Sequence, residues 1–384
     1  MRKSLLLCFT LLLIVAAHAQ FNIGHTTLLL TDASRSNRSI PVEVYYPATE
    51  TGDNTPWADG NFPVVVFGHG FFMSYSAYQN IWENQVPTGY VYAFLNTENG
   101  FTVSHNDFGL DFRFVSNNLN VQANLETSFF YQHISNFHVF MGHSMGGGAA
   151  FLAAQNFDDC KVLITLSAAE TNPSAISAAA NLTQPAVVIA ASGDAVTPPA
   201  TNQLLMFNAI EQCKYYVSIT GGAHCYYANA DFACDFGETT AGSQITISRV
   251  VQQTNTYNII TKSLNLFRSQ SNSDQVIFDD FLNGLQTNSA IEFTKNCESP
   301  VNVANVSNRF DFQFYPNPSS GTLYFDENLT GNLTLSDLNG RIVFSHFVNN
   351  QTVTFPDLIK DGFYILQIEH QNKVITQKLI IKQN

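Results

Sequence analysis

One five-residue string constrains this 384-residue chain more than any other: Gly142-His143-Ser144-Met145-Gly146, set between the apolar run Phe137–Met141 and the small-residue stretch Gly146–Gln155. Glycines flanking a serine at this spacing allow a tight turn from a buried strand into a helix. The turn lifts the hydroxyl clear of the sheet, at the positive end of that helix. The string therefore predicts a local structure and a chemistry together: strand, turn and helix, with Ser144 as a nucleophile.

The surrounding chain has the texture such a turn needs. Thr26–Leu30 and Ile40–Tyr46 read as opening strands, and Pro63–Phe67, Val91–Leu95, Val162–Leu166, Ala186–Ala190 and Tyr215–Ile219 are short apolar runs of the kind buried on both faces. Helical stretches fit between them at Tyr75–Asn84, Leu110–Leu119 and Gly146–Gln155, and again at Arg249–Phe267 and Asp274–Leu285. This alternation predicts an α/β unit over 20–296 with a mainly parallel central sheet flanked by helices. Residues 297–311 are polar and irregular and read as a linker. Over 312–384 short strands alternate with turn signals such as Asn339-Gly340 and Asp361-Gly362, which predicts a small all-β sandwich.

Charge and cysteines narrow the function. The 17 Lys and Arg face 30 Asp and Glu, a formal net charge of −13, and nearly all of the acidic excess falls before residue 312. That argues against nucleic acid and anionic membranes as partners, because both are held by basic side chains. Arg2 and Lys3 precede an apolar run, Leu5–Ala17, and Ala17-His18-Ala19 has the form of an A-x-A cleavage site. Residues 1–19 are expected to be a signal peptide. No later stretch approaches the roughly 18 to 20 apolar residues of a transmembrane helix, so a secreted, soluble monomer is expected. Cys160, Cys213, Cys225, Cys234 and Cys297 remain after the leader. Their odd number leaves at least one unpaired, and the close spacing makes Cys225–Cys234 the first candidate disulfide. No C-x-x-C or H-x-x-x-H spacing points to a metal, and the chemistry asks for no cofactor.

A serine nucleophile needs a base, and this kind of turn calls for an acid and then a histidine further along the chain. His224, in Gly221-Gly222-Ala223-His224, follows the last strong strand. The other histidines of the 20–311 part (His25, His69, His105, His133, His138 and His143) precede or adjoin the serine, and His346 and His370 lie in the tail. Asp194 follows the strand Ala186–Ala190 and is the first choice of acid. Glu170, Asp231, Asp235 and Glu238 are its rivals; Asp107 and Asp111 come before the nucleophile. An oxyanion formed at an ester carbonyl needs two backbone donors: the N–H of Met145 and, after the early strand ending in Phe67-Gly68-His69-Gly70, that of Phe71. His69 reads as a structural residue of that loop.

These segments resemble a known group. Residues 22–285 are similar to secreted α/β-hydrolases of the cutinase, polyester hydrolase and dienelactone hydrolase group. Gly142-His143-Ser144-Met145-Gly146-Gly147-Gly148 has the form seen in bacterial cutinases and poly(ethylene terephthalate) hydrolases, and Gly193-Asp194-Ala195-Val196-Thr197-Pro198 and Gly221-Gly222-Ala223-His224 resemble their acid and base segments. Thr31-Asp32-Ala33-Ser34-Arg35 and Ile40-Pro41-Val42-Glu43-Val44-Tyr45-Tyr46-Pro47 also resemble platelet-activating-factor acetylhydrolases and chlorophyllases. Where chlorophyllases carry Asp-Pro-Val, this chain has Ser167-Ala168-Ala169-Glu170, and it departs from polyester hydrolases in having the small Ala169 near the position where they carry a tryptophan clamp. The resemblance implies that Phe71, Met145 and Val196 line the acyl site; plain core packing is the alternative reading of each.

The tail resembles the C-terminal sorting domain of the type IX secretion pathway, through Phe314-Tyr315-Pro316-Asn317-Pro318-Ser319-Ser320-Gly321, Asp337-Leu338-Asn339-Gly340-Arg341 and Gly362-Phe363-Tyr364-Ile365-Leu366. That implies the type IX machinery as a partner and an extracellular or cell-surface destination. The expectation is a secreted serine esterase for neutral hydrophobic esters, plausibly a polyester. A lipase-, acetylhydrolase- or chlorophyllase-like esterase, or a surface binding protein on a hydrolase scaffold, are the alternatives.

Overall fold

The computed structural model describes residues 20–297, 314–337, 342–356, 359–370 and 373–382. The expected leader, the expected linker beyond Cys297, and 338–341 of the Asp-Leu-Asn-Gly-Arg motif lie outside them. The chain divides into two compact units, Met1–Asn302 and Val303–Asn384.

The first unit is built on a ten-stranded sheet. An antiparallel hairpin, β1 (Asn22–Asp32) and β2 (Arg38–Ala48), and the two-residue β3 (Gly52–Asp53) form one edge. The middle holds β4 (Phe62–Gly68), β5 (Val91–Leu95), β6 (Ile134–His143), β7 (Cys160–Leu166), β8 (Ala186–Ala191) and β9 (Lys214–Ile219), all mutually parallel. β10 (Ile291–Asn296) closes the other edge antiparallel to β9. The spatial order is β10-β9-β8-β7-β6-β4-β5-β2-β1-β3. From β4 the chain steps outward to β5 on one side and then returns to β6 on the other. That reversal opens a crevice at the carboxyl ends of β4 and β6, where open α/β sheets bind ligands.

The central strands read as unbroken apolar runs because both of their faces are covered. In β4, Val64 and Val66 join a core with α2 (His105–Ala123), α3 (Met145–Ala154), α4 (Ala175–Ala179) and α5 (Gln203–Ala209). Val65 and Phe67 point the other way, into a core with α1 (Gln79–Gln85), α7 (Arg249–Ser269) and α8 (Asn272–Thr287). The remaining helix, α6 (Phe232–Ala241), follows His224 and buries little apolar surface of its own. Two disulfides form, Cys225–Cys234 and Cys213–Cys297, and Cys160 is free and buried. Among the described residues, no helix is long and apolar enough to cross a membrane.

The second unit is all antiparallel: β11 (Phe314–Tyr315), β12 (Thr322–Ser336), β13 (Ile342–Thr354), β14 (Gly362–His370) and β15 (Lys373–Ile381). Its core gathers Leu323, Leu333, Leu335, Val353, Leu366, Ile368 and Leu379. The sequence reads Thr322–Phe325 and Leu333–Leu335 as separate strands, whereas β12 runs through both. A register shift between Tyr324 and Leu329 absorbs the polar residues between them without ending the ladder.

Candidate active site

The turn from β6 into α3 holds Ser144 at φ 54° and ψ −121°, a conformation costly for a residue with a side chain. Its N–H donates to Leu166 O at 3.0 Å, which ties the turn to β7. The flanking glycines are required by contact. A Cβ on Gly142 would lie 2.3 Å from Gly146 O, and one on Gly146 would lie 2.2 Å from Gly68 O. The backbone of β4 thus passes directly against the start of α3.

Three loops at the ends of parallel strands converge here. His224 Nε2 lies 2.9 Å from Ser144 Oγ, and its Nδ1 lies 2.7 Å from Asp194 Oδ2. All three side chains are almost fully enclosed, at 8% (Ser144), 2% (His224) and 4% (Asp194) exposure. Asp194 Oδ1 accepts the N–H groups of Val196 (2.9 Å) and Thr197 (2.8 Å), and Oδ2 accepts the Thr197 hydroxyl (2.9 Å). With its carboxylate so fixed, the proton of the neutral imidazole belongs on Nδ1. The lone pair on Nε2 then faces the serine hydroxyl.

The rival acids are engaged elsewhere. Glu170 accepts from Ile176 N in the first turn of α4, Asp231 caps α6 through Cys234 N, and Asp235 pairs with Arg249 at 2.6 Å. Asp111 is buried between Arg35 and Arg38, 2.7 Å from each, and Asp107 lies 3.8 Å from Arg35. Glu238, weighed from the sequence as an acid, instead accepts the backbone N–H of His224.

On the β4 side, Gly70 N donates to the Tyr78 hydroxyl at 2.8 Å, whereas the N–H groups of Phe71 and Met145 have no acceptor among the described residues. His69 is fully buried between two carbonyls, Gly70 O at 2.8 Å and Thr97 O at 2.7 Å, and burial lowers its pKa. It fastens the loop, as its position in the sequence indicates. The residue before Ser144, His143, lies 2.8 Å from the Tyr78 hydroxyl through Nδ1 and 2.9 Å from His224 O through Nε2. Full burial holds its pKa well below the ordinary histidine value. The consistent pattern is Nε2–H donating to the carbonyl and the Tyr78 O–H donating to Nδ1.

The three residues expected to line the acyl site differ in surroundings. Phe71 and Val196 are exposed at 48% and 38%, whereas Met145 is enclosed in the core at 4%. Two further aromatics went unread in the sequence. Phe72 follows Phe71 at φ 57°, in the third position of a turn closed by Met73 N donating to Gly70 O at 3.1 Å. Glycine is the usual occupant of that position. Phe101, 80% exposed, stacks on Phe72 with ring centroids 4.4 Å apart. It sits on a loop clamped by Glu98, which pairs with Arg38 at 2.7 Å and accepts Ser104 N at 2.5 Å. A phenylalanine directly after Asn99-Gly100 in a polar stretch was the available signal.

A model of the family described as PET hydrolase-like matches residues 14–255, and a model of the secretion system C-terminal sorting domain matches 313–382. No curated protein matches the chain.

Proposed function

Since the chain belongs to the PET hydrolase-like family, and so is a hydrolase of the cutinase and polyester hydrolase type, we propose that it is a serine carboxylic-ester hydrolase. The observation that carries this is the continuous line of contacts from Ser144 Oγ through His224 to Asp194. His224 Nε2 takes the Ser144 proton as Oγ attacks the ester carbonyl, and Asp194 stabilises the imidazolium. The N–H groups of Met145 and Phe71, free of acceptors among the described residues, hold the oxyanion. The imidazolium then protonates the departing alcohol, leaving an acyl group on Ser144. Water, deprotonated by the same His224, attacks that ester, and the imidazolium returns the proton to Ser144 Oγ as the acid leaves.

The substrate we propose is a neutral, hydrophobic ester, a polyester of the poly(ethylene terephthalate) type. Two observations support it: the stacked and exposed Phe72 and Phe101 beside Phe71, and an acidic hydrolase unit that disfavours phosphate-bearing substrates. The tail is a sorting domain for type IX secretion, which places the protein outside the cell or on its surface. Residues 1–19 serve, in this reading, as the leader for the first membrane crossing.

Labelling with a fluorophosphonate and mapping the modified peptide tests the reading. Covalent label on Ser144, lost in Ser144→Ala together with hydrolysis of nitrophenyl butyrate, is expected. A folded protein that takes no label and turns over no ester would falsify it.

A further inference from the structure

Glu238 is a buried carboxylate that the proposed reaction leaves unused and that, unlike Asp111, faces backbone N–H groups. Glu238 is 3% exposed, and its two oxygens accept two consecutive backbone N–H groups, that of His224 at 2.9 Å and that of Cys225 at 2.6 Å. These residues open the short helical turn Cys225–Tyr227. The first N–H groups of a helical turn have no acceptor of their own, and Glu238 supplies one to each.

The carboxylate is itself held in place. It stands on α6, whose first turn is capped by Asp231 and joined to the residue after His224 by the Cys225–Cys234 disulfide. Arg249 donates to Cys225 O and Ala228 O, each at 2.7 Å, and pairs with Asp235 of the same helix at 2.6 Å. Beyond α6 the chain turns back to the acid loop. Ala195 N donates to Ser243 Oγ at 3.0 Å, and Gln244 N donates to Gly193 O at 2.9 Å. One segment, 231–246, therefore grips the residues around both the base and the acid.

We infer that Glu238 is a positioning residue for His224, setting the backbone from which the imidazole reaches Ser144. The inference rests on the reading of Ser144 and His224 as nucleophile and base. Holding a base to within a fraction of an ångström matters, because a misplacement of about 1 Å can cost roughly 100-fold in rate. His143 fixes the carbonyl side of His224 and Glu238 the N–H side, so the residue is clamped at both of its backbone polar groups. Glu238→Gln keeps one acceptor and turns an amide NH2 toward the other N–H, loosening the clamp at nearly constant volume.

The test uses the full chain as wild type, Glu238→Gln, Glu238→Asp and the exposed control Glu211→Gln. Exhaustive fluorophosphonate labelling counts competent sites, and kcat per labelled site, KM for nitrophenyl butyrate and the labelling rate are then measured. The expected result for Glu238→Gln is a kcat per site lowered about tenfold or more, a KM within about twofold of wild type, and a labelling rate lowered in proportion to kcat. A kcat per site within about twofold of wild type overturns the inference. So does the absence of labelled sites in both Glu238 variants while the control labels normally, since the carboxylate would then serve folding alone. An unlabelled wild type is a distinct failure: it removes the serine reading and this inference with it.

Discussion

The side chain of His143 hydrogen-bonds the backbone carbonyl of His224 at 2.9 Å, so the residue before Ser144 holds the backbone from which the His224 imidazole projects. The same imidazole meets the hydroxyl of Tyr78, which accepts from Gly70 N in the loop that presents Phe71. A three-member chain of neutral hydrogen bonds thus runs beneath the site, from the loop after β4 to the base.

Breaking that chain in the middle should disturb both ends. Tyr78→Phe removes one hydroxyl and leaves Gly70 N–H and His143 Nδ1 buried without partners, a loss of about 1–3 kcal/mol in urea unfolding. Activity per folded molecule should fall as well. An unchanged urea midpoint would show that water replaces the hydroxyl.

Asp194→Asn keeps the shape of the acid and removes its charge. The amide no longer stabilises the imidazolium or enforces the Nδ1–H tautomer, and kcat should fall by about 10³–10⁴ with the circular dichroism spectrum unchanged. Near-wild-type turnover would move the acid's role to another carboxylate.

Phe101→Ala separates aromatic recognition from catalysis. The side chain is 80% exposed and its ring contact among the described residues is with Phe72, so stability should change by no more than about 1.5 kcal/mol. A ring contact is worth about 0.5–1.5 kcal/mol. KM for bis(2-hydroxyethyl) terephthalate should therefore rise about 3- to 10-fold, with tributyrin hydrolysis unaffected. Equal effects on both esters would remove Phe101 from the substrate's path.

Stability should decline in mild acid. Burial lowers the pKa of His69 and His143 and pushes that of His138 down to about 4. Below about 6.5 the unfolded chain takes up protons at these positions and the folded one does not. Folding stability is then constant with respect to these groups above that pH and falls as pH drops toward the folded values. His138 alone accounts for about 3 kcal/mol by pH 4. Calorimetry across pH 7.5 to 4 should show a falling Tm from about 6.5 downward, and a flat Tm to pH 5 would mean that these rings are charged in the fold.

Much of this architecture is legible in the sequence because it rests on local pattern. Runs such as Val91–Leu95 and Ala186–Ala190 have the length and β-branched or aromatic content of strands covered on both faces, and Gly142 and Gly146 mark a backbone crossing that admits no Cβ. The short span between Cys225 and Cys234 likewise points to their pairing. What escapes is whatever depends on distant segments meeting. β10 is a half-polar edge strand recognisable only beside β9, and Cys213 finds Cys297 across 84 residues. Glu238 reads as one more acid near the base, since nothing local reveals that its oxygens face backbone N–H groups.

The bond from Cys213 to Cys297 lies one step beyond the last rung of the β9–β10 ladder, where Lys214 pairs with Asn296. Chain ends are where unravelling and proteolysis begin, and β10 is the C-terminal end of the first unit's sheet. A cut anywhere after Cys297 leaves that end covalently hemmed to the strand leading to His224. The sheet's last strand is thereby hemmed: a cut beyond it gives a protease no loose thread to pull.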